Sequence, residues 1–222
     1  MYRILIVDDN PAITDILARM VRHEGLEAIE AHSGEEALAV IRQKHPDLVF
    51  LDILMEPMDG WETLSRIKQD KRTADIPVMM ITAKSLDPAE VQAHTAQFED
   101  YIQKPITRRD LCRVIRRYFK TESEIGDEVE RARISGIDAG LLDEFRRLSR
   151  DIEVHQRLLL LLWNVFRTSA EDDPRKGDLL EAIGRMENAQ NAMRARHQEI
   201  RRVIRMNLKG DGSGGDPGRE GA

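Results

Sequence analysis

The chain has 222 residues, of which 41% are hydrophobic and 33% are charged, a balance typical of globular rather than disordered proteins. No apolar run approaches the roughly 20 residues that span a bilayer, residues 1–7 do not resemble a signal peptide, and the single cysteine, Cys112, excludes an internal disulfide framework. We therefore expect a cytoplasmic protein without membrane insertion, and a formal net charge of −6 argues against a chain dedicated to nucleic acid.

Short apolar runs alternate with amphipathic segments up to residue 120, where the chain divides. Several runs are hydrophobic at consecutive positions, as in parallel strands that are covered on both faces. The predicted strands are residues 3–7, 26–31, 47–52, 77–82 and 100–103. The predicted helical stripes are Ile13, Ile16, Leu17 and Met20; Ala37, Leu38 and Ile41; Trp61, Leu64 and Ile67; Val91 and Phe98; and Leu111, Val114 and Ile115, the last with a capping box at Thr107 and Asp110. This alternation predicts an α/β fold, a doubly wound five-stranded parallel sheet.

Beyond residue 120 the pattern becomes helical throughout. Residues 121–136 are polar and favour a linker into which the preceding helix can continue. Apolar residues then recur at steps of four and three over about residues 138–168, and a second stripe follows a break at Pro174 and Gly177. Two helices of similar length predict an antiparallel helical hairpin over residues 137–208. The glycine-rich residues 209–222 are expected to be disordered.

The hairpin by itself leaves much of its apolar surface uncovered, in particular residues 158–163, LLLLLW. Because burial of one leucine is worth ~1.5–3 kcal/mol, we expect two hairpins to pair into a four-helix bundle, as a homodimer, or the hairpin to dock on another protein. The alternative is that the stripe folds back on the first domain of its own chain.

Polar side chains stand at the carboxyl ends of four predicted strands. Asp8 and Asp9 follow the first strand, Asp52 ends the third, Thr82 ends the fourth, and the fifth runs into Lys104. Ligands of doubly wound sheets bind at this edge. Crowded carboxylates require a cation, and oxygen donors with room for water and phosphate suit Mg²⁺. The carboxylate of Asp52 could then attack phosphorus while Lys104 and Thr82 hold the phosphoryl oxygens.

This arrangement resembles the CheY-like receiver domain of two-component response regulators over residues 1–120. The resemblance rests on Asp8-Asp9, Asp52, Thr82-Ala83 and Lys104-Pro105 in this order, with Tyr101 three residues before the lysine. It implies a flavodoxin-like sheet with strand order 2-1-3-4-5. The helical region beyond residue 120 is not covered by the resemblance.

The resemblance also implies the chemistry of the site. Asp52 would be the phosphoacceptor, modified by a sensor histidine kinase. Asp9 and Asp52 would bind Mg²⁺ directly and Asp8 directly or through water, together with the backbone carbonyl of Leu54. The family usually has proline where Glu56 stands; we interpret Glu56 as a solvated loop carboxylate rather than a residue near the metal.

The resemblance further implies a switch. Thr82 would move toward the acyl phosphate, Tyr101 would turn inward behind it, and Lys104 would bind the phosphoryl group. The surface formed by the fourth and fifth helices and the fifth strand would then change and control the helical hairpin through protein–protein interaction. The chain would not be an enzyme beyond self-phosphorylation from phosphodonors and slow autodephosphorylation.

Other functions have weaker support in the sequence. A haloacid-dehalogenase-type phosphatase needs an acid where Leu54 stands, and no P-loop or Rossmann glycine pattern occurs. A phosphotransfer intermediate would use His155 or His197, but both lie on apolar stripes. A DNA-binding transcriptional regulator would use the basic residues of the last helix, although no helix-turn-helix pattern accompanies them. These basic residues are Arg194, Arg196, Arg201, Arg202, Arg205 and Lys209.

Overall fold

The computed structural model describes residues 1–83, 97–168, 173–174 and 176–210. Within them, one parallel sheet has the strand order β2-β1-β3-β4-β5. The strands are β1 (Arg3–Val7), β2 (Glu27–Ala31), β3 (Leu48–Asp52), β4 (Val78–Thr82) and β5 (Asp100–Gln103). The helices are α1 (Pro11–His23), α2 (Gly34–Lys44), α3 (Gly60–Gln69), α4 (Arg108–Ile134), α5 (Ala139–Thr168) and α6 (Lys176–Gly210). The flavodoxin-like sheet with its following helices confirms the predicted fold class.

The central strands are buried because helices cover both faces of the sheet. Every residue of β3 is buried, and one core includes Leu5 and Leu51 while the core on the other face includes Ile4 and Phe50. This alternation follows from successive side chains pointing to opposite faces of a strand. The consecutive apolar residues of the sequence therefore supply two cores at once.

Short polar caps start the helices close to the carboxyl edge of the sheet. The side chains of Asn10, Ser33 and Asp59 accept hydrogen bonds from backbone N–H groups in the first turns of α1, α2 and α3. Thr107 caps α4 in the same way, with its hydroxyl accepting from the backbone N–H of Asp110 at 3.2 Å. The caps fix where each strand–helix loop ends, and these loops frame the site.

Helix α4 continues without interruption through residues 121–134, which the sequence analysis assigns to a linker. Ile125, Val129 and Ala132 lie one helical turn apart and are buried against Phe145 and Ile200 of the following helices. These three apolar residues within a polar segment are enough to hold the helix against its neighbours. The division into domains remains a prediction, but this segment is a helical part of the packed region that follows.

Helices α5 and α6 pack against each other in antiparallel directions and α4 joins them. Arg196 of α6 binds Glu144 near the start of α5, and Trp163 near the end of α5 donates to Glu187, an earlier residue of α6. We refer to α5, α6 and residues 121–134 of α4 as the helical module.

The polar residues of the apolar stripes are satisfied inside the helical module. The Nδ1 atom of His155 lies 2.9 Å from the carbonyl oxygen of Asp151, and Gln190 Nε2 donates to the carbonyl of Ile152 at 3.3 Å. His197 Nε2 lies 2.9 Å from Ser149 Oγ. Both histidines are therefore structural side chains in this arrangement, which disfavours a phosphotransfer role.

The apolar stripe of α5 folds back on the α/β domain, residues 1–120, of its own chain. Val154, Leu158 and Leu162 belong to the same buried cluster as Phe98 and Tyr101. Of the alternatives that the sequence leaves open, the structure therefore has the intramolecular one. A homodimer through residues 137–208 stays a prediction. The structure removes one reason for it, because residues of this stripe are already covered within the chain.

Some sequence predictions fall outside the described residues. Val91 of the fourth helical stripe is among them, whereas Phe98 lies in the loop before β5 rather than in a helix and is buried against Trp61, with ring centroids 5.9 Å apart. Residues 209 and 210 end α6, and the expected disorder of residues 211–222 lies outside the description. None of the helices in the described part of the chain is long and apolar enough to cross a membrane.

Candidate functional site

Lys104 joins the two buried carboxylates at the carboxyl edge of the sheet. Its Nζ atom donates to Asp8 Oδ2 and to Asp52 Oδ2, each at 2.6 Å. Asp8 follows β1, Asp52 ends β3 and Lys104 follows β5, so three separate strands supply the contact. The carboxylates are nearly inaccessible, with 2% and 5% of Asp8 and Asp52 exposed. The structure thus brings together three of the residues that the strand-end pattern predicts.

Backbone N–H groups hold the second oxygen of each carboxylate. The amide of Asn10 donates to Asp8 Oδ1 at 3.0 Å, and the amide of Leu54 donates to Asp52 Oδ1 at 3.3 Å. Each carboxylate therefore has one oxygen oriented by its own loop and one oriented by Lys104. This division fixes the direction in which Asp52 Oδ2 points, toward the shared ammonium.

Burial and the ion pairs act against each other at this site. Burial raises the pKa of Asp52, and the hydrogen bond from Lys104 opposes the rise without cancelling it. For Lys104, burial acts to lower the pKa, but the hydrogen bonds to Asp52 and Asp8 outweigh it and the pKa is raised. The ammonium is therefore held in its charged form, while the carboxylate of Asp52 carries a desolvation penalty that further positive charge would relieve.

Only some of the residues predicted to bind Mg²⁺ are placed to do so. The side chain of Asp9 is exposed, and among the described residues no three acidic, histidine or cysteine side chains form a metal-binding group. Mg²⁺ needs only one or two carboxylates because it keeps several waters. The converging oxygens of Asp8 and Asp52 satisfy that requirement and would hold the ion; roles for Asp9 and for the Leu54 carbonyl stay predictions.

The predicted switch residues lie on β4 and β5. Thr82 is the last residue of β4, and its side chain lies outside the description. Tyr101 is the second residue of β5, 8% exposed, in register with Met80 of β4. It lies close to Leu158 and Leu161 of α5, which line the same surface cleft. Tyr101 is thus buried beside a helix from outside the α/β domain.

Gly60 supports Asp52 from behind, a role that the sequence analysis missed. A Cβ atom at Gly60 would lie 2.1 Å from the backbone oxygen of Asp52 and 2.7 Å from Ile53 Cα, which no side chain can tolerate. The Gly60 amide donates to the Ile53 carbonyl at 2.9 Å. The sequence signal for this role is the glycine directly after Asp59, the residue that caps α3. Glu56, by contrast, is an exposed loop carboxylate, as interpreted.

The comparisons with known proteins assign the family. The profile of the family described as response regulator receiver domain matches residues 4–116, half of the chain. The chain belongs to this family. Residues 121–207 match a second profile, described as metanogen output domain 2. The receiver domain and the helical module are thus similar to two different families.

Individual relatives agree with the receiver assignment. Protein PilH of Pseudomonas aeruginosa is 33% identical over 115 residues, 52% of this chain and 95% of PilH. The phosphate regulon transcriptional regulatory protein PhoB of the same organism is 38% identical over 130 residues, 57% of each chain. A CheY-like receiver domain protein from Methanospirillum hungatei is 30% identical, with a TM-score of 0.51 over 56% of this chain and 98% of that structure.

The chain spans little more than half the length of the first transcriptional regulators that it matches. Their similarity therefore concerns the receiver domain, which in two-component systems is the part that receives the signal. The similarity does not extend to the activities of the whole relatives.

A second set of contacts at the receiver domain was also missed from the sequence. Arg157 of α5 lies 3.2 Å from Asp100 Oδ1 through its Nε atom and donates to the backbone carbonyl of Glu99. Asp100 also pairs with Arg117 of α4. No local pattern indicates this, because Asp100 and Arg157 are 57 positions apart and become neighbours only when α5 docks on β5.

Proposed function

We propose that this chain is a response regulator of a two-component phosphorelay, which accepts a phosphoryl group on Asp52 from a sensor histidine kinase with Mg²⁺ as cofactor. One observation carries the proposal: the Lys104 ammonium binds Asp52 Oδ2 and Asp8 Oδ2 at 2.6 Å in a buried site at the carboxyl edge of the sheet. An aspartate that is buried, oriented and beside a fixed cation is prepared to carry a phosphoryl group.

The residues present can perform the transfer. An oxygen of Asp52 forms a bond to phosphorus while the bond from phosphorus to the imidazole nitrogen of the donor breaks, and the nitrogen leaves with the electron pair. Lys104 then neutralises charge on the phosphoryl oxygens, and the Leu54 amide keeps the Asp52 carboxylate oriented. Mg²⁺, when bound, supplies further positive charge to the same oxygens. Thr82 and Tyr101 are proposed to respond to the new group.

The chain acts on itself in this proposal and not on a released substrate, so we do not assign it an enzymatic role beyond self-phosphorylation and slow autodephosphorylation. Its proposed donor is a sensor histidine kinase, and the proposed location of the chain itself is the cytoplasm. The output passes through the helical module by protein–protein contact.

Contacts in the last helix favour a protein target over DNA. Arg196 binds Glu144 and Glu199, Arg201 binds Glu128 at 2.7 Å, and Arg194 binds Gln156. Several basic groups of the predicted DNA-binding surface thus bind partners within the chain. Binding to labelled duplex at low salt that weakens steeply as salt is added would favour the DNA alternative.

The decisive experiment treats the full chain with acetyl phosphate and Mg²⁺ and measures its intact mass. Wild type is expected to gain one phosphoryl group, and Asp52→Asn to gain none. Asp59→Asn is the matched control, because Asp59 is an exposed carboxylate in the same loop and asparagine also caps helices well; it should be modified like wild type. Equal modification of Asp52→Asn would contradict the proposal.

The predicted homodimer has its own test. Sedimentation of the full chain at micromolar concentration, before and after acetyl phosphate treatment, reports whether two copies associate, as expected for a dimer through residues 137–208. A monomer in both states would contradict the dimer without affecting the role of Asp52.

A further inference from the structure

A cleft opens in the helical module where α4, α5 and α6 face one another. Its volume is about 530 Å³, within the ~300–1,000 Å³ that small-molecule sites occupy in proteins. Each of the three helices contributes to its lining, with Ile125 from α4, Ile152 from α5 and His197 from α6. The cleft therefore belongs to the helical module and shares no residue with the site around Asp52.

The buried part of the lining is apolar. Ile125 and Phe145 are 9% and 1% exposed and belong to the cluster that joins α4, α5 and α6. Ile152 is half-buried and lines the same cleft. A molecule bound here would cover hydrocarbon surface, which favours a ligand with an apolar body.

The hydrogen bonds around His197 fix which of its ring nitrogens carries the proton. Ser149 Oγ donates its single hydrogen to the Phe145 carbonyl at 2.8 Å, and His197 Nε2 lies 2.9 Å from the same Oγ. Because the hydroxyl hydrogen is already used, Nε2 is the donor to Ser149. In the neutral ring the other nitrogen, Nδ1, then has a lone pair and accepts hydrogen bonds. The bond that anchors His197 thus also sets its tautomer.

The Nδ1 atom of His197 has no hydrogen-bond partner within the part of the chain that the structure describes. Burial and the positive charge of Arg201 lower the pKa of His197 against the attraction of Glu128, so the ring is uncharged at neutral pH. The ring stacks on Phe145, with centroids 4.6 Å apart and an angle of 15° between the planes. The cleft therefore contains an oriented acceptor that lacks a donor.

The charged side chains of the lining are bound to other groups of the chain. Arg201 donates two hydrogen bonds to Glu128, the shorter at 2.7 Å, and Arg194 donates to Gln156 at 3.2 Å. The remaining acidic groups of the lining also pair within the chain, as Lys120 with Glu124 and Arg157 with Glu153. A charged ligand would have to displace one of these contacts, whereas an uncharged ligand would leave them in place.

A metal ion does not match this cleft. Zinc sites use three or four protein ligands, and no group of three histidine, cysteine or acidic side chains that could hold a metal occurs among the described residues. The single acceptor of His197 is matched instead by one hydrogen-bond donor of an organic molecule.

We propose that the cleft is a binding site for a small uncharged molecule that has a phenol-like apolar body and one hydrogen-bond donor. The donor pairs with His197 Nδ1, while Ile125, Phe145 and Ile152 cover the apolar body. The helical module is then a small-molecule receptor in its own right. This inference goes beyond the proposed function and does not depend on it.

Phenol and anisole are the probes, because they share the ring and only phenol has an O–H donor. Each is titrated into the full chain while the methyl signals of Ile125 and Ile152 are followed by NMR. Phenol is expected to shift these signals saturably and to bind at least about fivefold more tightly than anisole, as one net hydrogen bond predicts. Anisole has the larger apolar area, so unspecific apolar contact would favour anisole instead.

A matched pair of variants locates the acceptor. His197→Phe keeps a ring that can stack on Phe145 and removes Nδ1, so it should lose the preference for phenol. His23→Phe makes the same change at an exposed position at the end of α1 and should keep the preference. The comparison of the two probes in wild type decides the question even if His197→Phe does not fold.

Three results would overturn the inference. They are the absence of a saturable shift with phenol, equal affinity of wild type for phenol and anisole, and an undiminished preference for phenol in a folded His197→Phe. None of them bears on the modification of Asp52, which acetyl phosphate tests separately.

Discussion

Lys104 Nζ lies 2.6 Å from Asp52 Oδ2 and equally close to Asp8 Oδ2, so one ammonium bridges two buried carboxylates that would otherwise repel each other. The side chain of Lys104 is 19% exposed and those of the two aspartates only 3% and 6%. Breaking a buried ion pair leaves an uncompensated charge, which is more destabilising than the pair is stabilising.

Lys104→Met should therefore lower the free energy of unfolding by about 3 kcal/mol in the absence of divalent ions. Mg²⁺ should then stabilise the variant more than it stabilises wild type, because the ion takes over the neutralisation of Asp8 and Asp52. Urea unfolding with and without Mg²⁺ measures both effects. Lys44→Met, at an exposed site at the end of α2, should change neither quantity appreciably; a Mg²⁺ response no larger in Lys104→Met than in wild type would contradict the expectation.

Gly60→Ala should destabilise the protein by about 1–3 kcal/mol, since overpacking against rigid backbone forces local shifts. The new methyl group would lie 2.1 Å from the Asp52 carbonyl oxygen, so the loop carrying the phosphoacceptor has to move. We expect slower modification by acetyl phosphate as well as a lower unfolding midpoint.

The control for Gly60 is another glycine on a helix. Nothing lies within 4 Å of a Cβ atom at Gly126 of α4, where Gly126→Ala should instead raise stability by about 0.5–1 kcal/mol through helix propensity. If both alanine variants changed stability in the same direction, the close approach of Gly60 to Asp52 would not be the cause.

The pH dependence of stability should reflect the raised pKa of Glu99. Folding raises its pKa through burial, so the folded chain keeps the proton to higher pH than the unfolded chain, and stability falls as pH rises above the ordinary value of 4.5. Glu99→Gln removes this loss, so the variant should be more stable than wild type at neutral pH, and its advantage should shrink as pH falls toward 4.5.

Urea unfolding at neutral and acidic pH tests this prediction. Glu124→Gln, an exposed glutamate of α4, serves as the control and should leave the pH profile unchanged. A Glu99→Gln variant that is less stable than wild type at neutral pH would mean that attraction from Lys68 and Arg150 outweighs the burial of Glu99.

The strand ends explain which parts of the molecule the sequence can predict. Asp8, Asp52 and Lys104 each stand at the carboxyl end of a run that is recognisable locally, and a parallel sheet necessarily brings such ends to one edge. The apolar runs also predict the fold class, because their length and continuity suit buried parallel strands.

Local sequence patterns could not predict the contacts between segments that are distant in the chain. The docking of Arg157 on Asp100 depends on how the helical module meets β5, and three apolar residues in residues 121–136 are hidden among charged ones although they hold α4 in the module. The crowding of carboxylates alone suggests a metal ion, but in the structure Lys104 of the same chain pairs with Asp8 and Asp52.

Phe145 tests whether the helical module has an independent core. It is 1% exposed, stacks on His197 with ring centroids 4.6 Å apart, and belongs to the cluster that joins α4, α5 and α6. Phe145→Ala should lower the free energy of unfolding by about 3–5 kcal/mol. Leu160→Ala, on the same helix but 62% exposed, should cost no more than about 0.5 kcal/mol.

Chemical denaturation followed by circular dichroism separates these outcomes, because α5 and α6 hold much of the helical signal. Loss of the module core should unfold these helices at lower urea concentration than in wild type, since the apolar seam holds α4, α5 and α6 together. Similar unfolding of Phe145→Ala and Leu160→Ala would mean that the apolar seam adds little to the stability of the helical module.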